Sequence, residues 1–291
     1  MRSPYFIDEP ASISFSGGRT SAYMLWRVLE AHGSQLRDDT HILFANTGKE
    51  MPQTLDFIKA CGDNWGVDIT WLEYAGRSLK DGVTVAEAIH GKPSYDYTYS
   101  VVDYETASRQ GEPFLQVMRD LGGIPNPMAR WCSGQLKART MRRHLETLGH
   151  DMPFLTFIGL RGDEPRRAAK LHNKVSDGQD IQCPMFIDGK TKEDVSSFWK
   201  AQPFDLELPN NNGVTDWGNC DLCFLKGKSK RLSIIRERPE LADWWVGVEK
   251  EHGDLFDRGG SSYESMQVIA SDQPTLFDFG DDETIPCYCG D

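Results

Sequence analysis

The feature that most restricts how this chain can fold is an alternation, over about its first 75 residues, of short apolar runs with segments of helical periodicity. Ile13-Ser14-Phe15 is the first run. Ser16-Gly17-Gly18 breaks it, and Ala22, Leu25 and Leu29 then recur at helical spacing, with Trp26 and Val28 widening the stripe. His41 to Ala45 is a second buried run, closed by Asn46-Thr47-Gly48. Pro52 stands where a helix would begin, and Leu55, Phe57, Ile58 and Cys61 continue it. Val67 to Leu72 is a third strand candidate, and Phe154 to Leu160 a later one, preceded by a helix from about Ser133 to Leu148. Strands joined by helices predict right-handed crossovers and an α/β fold: an open, mostly parallel sheet with helices on both faces.

The pattern weakens from about Ser78 to Arg130, where Tyr95, Tyr97, Tyr99 and Tyr104 crowd a polar stretch and Gly122 to Pro127 reads as a loop. This segment reads as an insertion, either a cap over a site or an exposed excursion. The expected division is an α/β domain over residues 1–165, with that insertion at about 78–130, and a cysteine-containing C-terminal region and tail over 166–291. A length of 291 residues suits one large domain or two modest ones.

Composition narrows the function classes. With 32 basic and 44 acidic residues the net charge is −12, which argues against gripping nucleic acid by bulk charge and leaves only a local basic patch for that purpose. No run approaches ~18 apolar residues, so no membrane-spanning helix is expected. The first ten residues lack an apolar core, so no secretory leader is expected either. Seven cysteines, an odd number in such a chain, point to a reducing compartment, with the cytoplasm as the expected location. Clustered thiols there mean metal or redox chemistry more often than disulfides.

Three constellations could carry chemistry. Ser16-Gly17-Gly18-Arg19-Thr20-Ser21 lies between a strand and a helix, where glycines admit an anion and helix N–H groups and hydroxyls donate to it. A glycine turn with a Ser or Thr helix cap explains the same residues. Its place after the first strand favours a nucleotide. Cys220-Asp221-Leu222-Cys223 is a CxxC, Cys132 lies upstream, and Cys287-Tyr288-Cys289 stands near the end. Two thiolates at that spacing share a metal or cluster, and closing it takes further ligands, with structural zinc as the plainer alternative. Cys61 and Cys183 read as buried small hydrophobes. Finally, Arg161, Arg166 and Arg167 follow the late strand, where guanidinium groups suit a sulfate or phosphate, or else form a salt-bridged surface loop.

Taken together, these residues resemble the phosphoadenosine-phosphosulfate reductase family of the adenine nucleotide α-hydrolase (PP-loop) superfamily. Ser14 to Ser21 is similar to that family's pyrophosphate loop, and Asn46-Thr47-Gly48-Lys49-Glu50-Met51-Pro52-Gln53-Thr54 resembles its second-strand motif. Trp131-Cys132-Ser133-Gly134-Gln135-Leu136-Lys137 is similar to the Cys-Cys-x-x-Arg-Lys element of the iron–sulfur members, with Trp131 in place of one cysteine. Gly159 to Glu164 and Gly218 to Cys223 resemble the remaining motifs, in family order.

The resemblance implies a sulfonucleotide reductase that binds an adenine nucleotide through Ser16, Gly17, Gly18, Arg19, Thr20, Ser21, Asn46, Thr47 and Gly48. Lys137, Arg161 and Arg166 would hold the sulfate or phosphate. Cys132, Cys220 and Cys223 would ligate a [4Fe-4S] cluster, left open at one iron or closed by the tail's Cys287. Cys289 would attack sulfur, leaving a thiosulfonate for a thioredoxin-like reductant to resolve, with the roles of the two tail cysteines open to exchange. Thr20 stands where ATP-cleaving relatives carry an acidic Mg²⁺ ligand, so the resemblance leaves Mg²⁺ open. Two other readings remain: an ATP-dependent sulfurtransferase that thiolates nucleic acid with a three-cysteine cluster, and a zinc-stapled nucleotide-binding module.

Overall fold

A computed structural model describes residues 2–80, 82, 95–210 and 215–272. In chain order they form β1 (Ala11–Ser14), α1 (Arg19–Ala31), β2 (Thr40–Asn46), α2 (Pro52–Trp65), β3 (Ile69–Leu79), β4 (Tyr95–Val102) and α3 (Glu112–Leu121). One helical passage follows in three parts: α4 (Trp131–Ser133), a π-helical stretch (Gly134–Arg139) and α5 (Thr140–Thr147). Then come β5 (Phe154–Ile158), α6 (Pro165–Leu171), β6 (Lys174–Ser176), β7 (Gln179–Gln182), α7 (Pro184–Ile187) and α8 (Lys192–Lys200). Last are α9 (Lys228–Glu237), α10 (Leu241–His252) and α11 (Tyr263–Asp272).

The strands make one seven-stranded sheet in the order β4-β3-β2-β1-β5-β7-β6. Pairing is parallel from β3 across β2, β1 and β5 to β7, while β4 and β6 add antiparallel edges. The open, mostly parallel α/β fold read from the sequence is therefore the fold observed. The apolar run in β2 is continuous because both faces are covered. Ile42 and Phe44 enter the main core, while Leu43 and Ala45 pack with Leu72, Met141 and Leu145 on the opposite face. In α1 the buried stripe includes Ala22, Leu25, Val28 and Leu29. Pro52 opens α2 as expected, and Gly66, at a φ of 62°, closes it in the left-handed conformation.

The described residues between 78 and 130 are more regular than their composition suggests. β3 runs on to Leu79, past a register shift between Tyr74 and Gly76, and β4 pairs with it at the sheet edge. Tyr95, Tyr97 and Tyr99 fall at alternate positions of β4, so they share one face. Within the main core, Phe224, Trp245, Phe256 and Tyr263 form a buried aromatic cluster with Phe114 of α3. No helix among the described residues is long and apolar enough to cross a membrane.

This topology fixes where a site can lie. β1 is central, with β2 and β5 on either side, so the loops leaving their carboxyl ends stand side by side. Ligands of open α/β sheets gather at that end.

Candidate functional site

The loop after β1 is drawn into a ring by one hydroxyl. Ser21 Oγ accepts from the Ser16 N–H at 3.1 Å and from the Ser16 hydroxyl at 2.9 Å, and it donates to the Gly18 carbonyl at 3.0 Å. Gly17 has a φ of +79°, and a Cβ there would lie 2.6 Å from Thr54 Cγ2 and 2.9 Å from Ile58 Cδ1. Glycine thus serves both the turn and the close approach of α2. Gly18 is the extended residue before α1, and no side chain caps the helix there, so its first N–H groups are left without a side-chain acceptor. Arg19 is directed elsewhere. Its buried guanidinium grips Asp205 with two bonds, of 2.6 and 2.7 Å, and its carbonyl accepts from Trp199 Nε1 at 2.9 Å. Those bonds anchor α1 to α8 and the segment after it.

The loop after β2 is organised by carboxylates. Asn46 donates to Glu73 Oε1 at 2.6 Å and to the Ser108 carbonyl at 2.9 Å, and its own Oδ1 accepts from the Gly48 N–H at 3.1 Å. Buried Glu50 accepts from the Thr47 N–H at 3.0 Å and from the Thr47 hydroxyl at 2.8 Å. Lys137 Nζ, from the π-helical stretch, stands 3.7 Å from the same carboxylate. Gly48, at a φ of +75°, packs backbone to backbone with Gly111, whose N–H donates to its carbonyl at 2.8 Å.

The loop after β5 joins the first. A Cβ on Gly159 would lie 3.1 Å from the Ser21 Cα, so glycine lets β5 and α1 meet. Arg161 donates from Nη1 to Thr20 Oγ1 at 3.1 Å and pairs with Asp163 at 2.9 Å and Glu164 at 3.5 Å. Arg166 is exposed on the first turn of α6.

Cys132, Cys220 and Cys223 line one small cavity with Thr47, Lys137, Ser133, Asn219 and apolar side chains. Cys132 comes from α4 and the other two from the loop before α9, so the fold brings together three thiols that the sequence separates widely. Thr47 Oγ1 is 3.5 Å from Cys220 Sγ, which joins the cavity to the loop after β2. Soft thiolates suit an iron–sulfur cluster or zinc. Among the described residues no three His, Cys, Asp or Glu side chains converge as ligands of a single ion. A cluster distributes its thiolates over separate irons, so thiols spread around a cavity match that group in kind. Cys287 and Cys289 lie outside the described residues.

Cys61 and Cys183 are fully buried, as their apolar settings implied. Burial raises the Cys61 thiol well above its ordinary range, and burial with nearby Glu164 pushes Cys183 up to about 12, which leaves both inert. Sequence reasoning missed Lys49, Glu50, Glu73 and Asp221. Lys49 Nζ and Asp221 Oδ2 form a buried ion pair of 2.9 Å between the loop after β2 and the CxxC. Glu50 alone carried a signal, since its place three residues after Thr47 repeats the spacing of a capping box.

Comparison with known proteins adds relatives. No protein-family model matches the chain. The crystal structure of phosphoadenylyl-sulfate (PAPS) reductase from Candida auris, in its phosphate complex, is similar over 66% of this chain and 72% of that one, at 13% identity and a TM-score of 0.34. Over 218 residues the chain is 30% identical to the protein named "Uncharacterized nin region protein ORF290" of Escherichia phage lambda, a match covering 75% of this chain and 67% of that protein. The chain belongs to the family of that phage lambda nin region protein.

Proposed function

We propose that this chain is an iron–sulfur, sulfonucleotide reductase-like enzyme. The observation that carries the reading is the gathering of Cys132, Cys220 and Cys223 around one cavity with Thr47 and Lys137. Thr47 also belongs to the loop beside the Ser16–Ser21 turn, so the nucleotide end and the cysteine end share a residue. In this reading the backbone of Ser16, Gly17 and Gly18 and the start of α1 cradle the phosphates. Lys137 and Arg161 supply positive charge at the sulfate. Cys132, Cys220 and Cys223 hold a [4Fe-4S] cluster with Cys287, and the bound cluster would place a charge-delocalising, redox-capable centre beside the substrate.

The chemistry belongs to Cys289. Its thiolate attacks the sulfate sulfur, forming an S–S bond while the S–O bond to phosphate breaks, and the nucleotide phosphate leaves with that electron pair. A dithiol reductant of the thioredoxin kind then releases sulfite and regenerates the Cys289 thiol, itself becoming a disulfide.

Anaerobic purification with iron and sulfide analysis tests this, followed by assay of adenylyl sulfate and its 3′-phosphorylated form. The expected result is about four irons and four sulfides per chain, visible absorbance lost in Cys220→Ser, and sulfite formed from one of the two substrates. Stoichiometric zinc without sulfide overturns it in favour of a zinc-stapled module. Turnover that requires ATP and a polynucleotide sulfur acceptor overturns it in favour of a sulfurtransferase.

A further inference from the structure

Between the two cysteines of the CxxC stands a carboxylate that faces inward. Asp221 is 3% exposed, and Lys49, its partner across the cavity wall, is 7% exposed. Their charged atoms meet at 2.9 Å. Asp221 Oδ1 also accepts from Trp245 Nε1 at 2.8 Å and from the Leu222 N–H at 2.6 Å. The backbones are joined too: the Asp221 N–H donates to the Lys49 carbonyl at 2.8 Å, and Glu50 and Cys220 form an isolated antiparallel bridge. Lys49 Nζ lies 4.7 Å from the centre of the Trp244 ring, which adds a cation–π contact. A charge pair so deeply buried is held only while both members are present, because removing one leaves the other uncompensated.

We infer that Lys49 and Asp221 are positioning residues: through this pair the loop after β2 fixes where the Cys220 thiol stands. Loop and thiol then move as one unit, and a ligand that settles on Asn46, Thr47 and Gly48 is felt at Cys220. That last consequence rests on the proposed nucleotide role of the loop, whereas the positioning itself does not.

The test is N-ethylmaleimide labelling of the full chain, purified anaerobically and freed of bound metal with a chelator so that the Cys220 thiol is open to the reagent. Each cysteine is followed by peptide mass spectrometry, with buried Cys61 as the internal reference for an intact fold. In the wild type, AMP should slow labelling of Cys220. Lys49→Met and Asp221→Asn should each raise the Cys220 rate about tenfold without changing Cys61, and should abolish the AMP effect. The double variant leaves neither charge of the pair behind, and the amide that Asp221→Asn introduces keeps an acceptor for Trp245. It should therefore return to within about threefold of the wild-type rate. Recovery of this kind separates a paired positioning device from general loosening of the fold. Unchanged Cys220 labelling in both single variants overturns the inference, as does a double variant that labels as fast as the worse single. If the singles do not fold, Lys49→Arg, which keeps the charge but alters its reach, is read in their place: a Cys220 rate raised threefold or more with Cys61 unchanged supports the inference, and a rate within threefold of the wild type overturns it. Should AMP have no effect on the wild type while the singles still shift Cys220, the nucleotide reading of the loop fails and the positioning role stands.

Discussion

Adding a methyl group at Gly111 tests how tightly the outer wall of the site is built. Gly111 has a φ of +81°, and a Cβ there would lie 2.7 Å from Trp244 Cζ2, the ring that faces Lys49. Gly66 has a similar φ of +62° with nothing within 4 Å of its would-be Cβ. Gly66→Ala should therefore cost about 1 kcal/mol, from backbone strain alone. Gly111→Ala should cost roughly 2–4 kcal/mol, because overpacking against the half-buried Trp244 indole adds to that strain. Equal losses in urea denaturation of the two variants would show that Trp244 yields and that the wall is loose. Residues of this kind mark the limit of reading by eye. The glycines and hydroxyls of the Ser16–Ser21 turn were legible because their meaning is local. The value of Asp221 was not, because its partner Lys49 arrives from far away in the chain and nothing beside either residue announces the other.

At the level of elements, periodicity carried most of the fold. β1, β2, β5 and the start of β3 were visible as apolar runs, and α2 was announced by Pro52. β4 was hidden: an edge strand with one wet face shows alternation rather than a run, and its three tyrosines at alternate positions were the signal available. The π-helical stretch carrying Lys137 has no sequence mark. α8 is a case where a short motif and its energetics can be joined. Thr191 Oγ1 accepts from the Asp194 N–H, and Asp194 Oδ2 accepts from the Thr191 N–H at 2.8 Å, a complete capping box. That bond from the Thr191 backbone is the main reason the Asp194 carboxyl sits below its ordinary range. Thr191→Ala should cost about 1 kcal/mol, which lowers the melting temperature by roughly 2–4 °C for a chain of this size. Because Trp199 of α8 holds the Arg19 carbonyl at the start of α1, the proposed nucleotide role of the adjoining loop adds that AMP affinity should weaken in parallel. A variant with unchanged melting would show that packing of Trp199 fixes α8 without the cap.

For the whole molecule, pH is the simplest probe, and a histidine cluster sets its direction. His41 and His150 share a hydrogen bond of 2.8 Å between their Nε2 atoms, and His144 lies close by on α5. Burial, and then the neighbouring imidazoles, lower both His41 and His144 below the ordinary 6.5. In the window between 6.5 and the lowered values the unfolded chain binds more protons than the folded one. Stability is therefore complete above about pH 6.5 and falls as the solution is acidified through that window. The melting temperature should drop between pH 7 and pH 5.5, and His144→Gln should flatten the slope. A melting temperature that holds steady or rises on acidification would refute this account.

The buried pair that ties the loop after β2 to the CxxC also has a consequence for biosynthesis. Translation delivers Lys49 172 residues before Asp221 (221 − 49 = 172). β1 likewise waits for β5 before both of its edges are covered. A growing chain on the ribosome thus carries its proposed nucleotide loop in an unfinished form, with the ammonium group that will end up buried still in water. On that proposal, binding competence arrives late and all at once, when the C-terminal helices dock, so incomplete translation products are not able to sequester nucleotide.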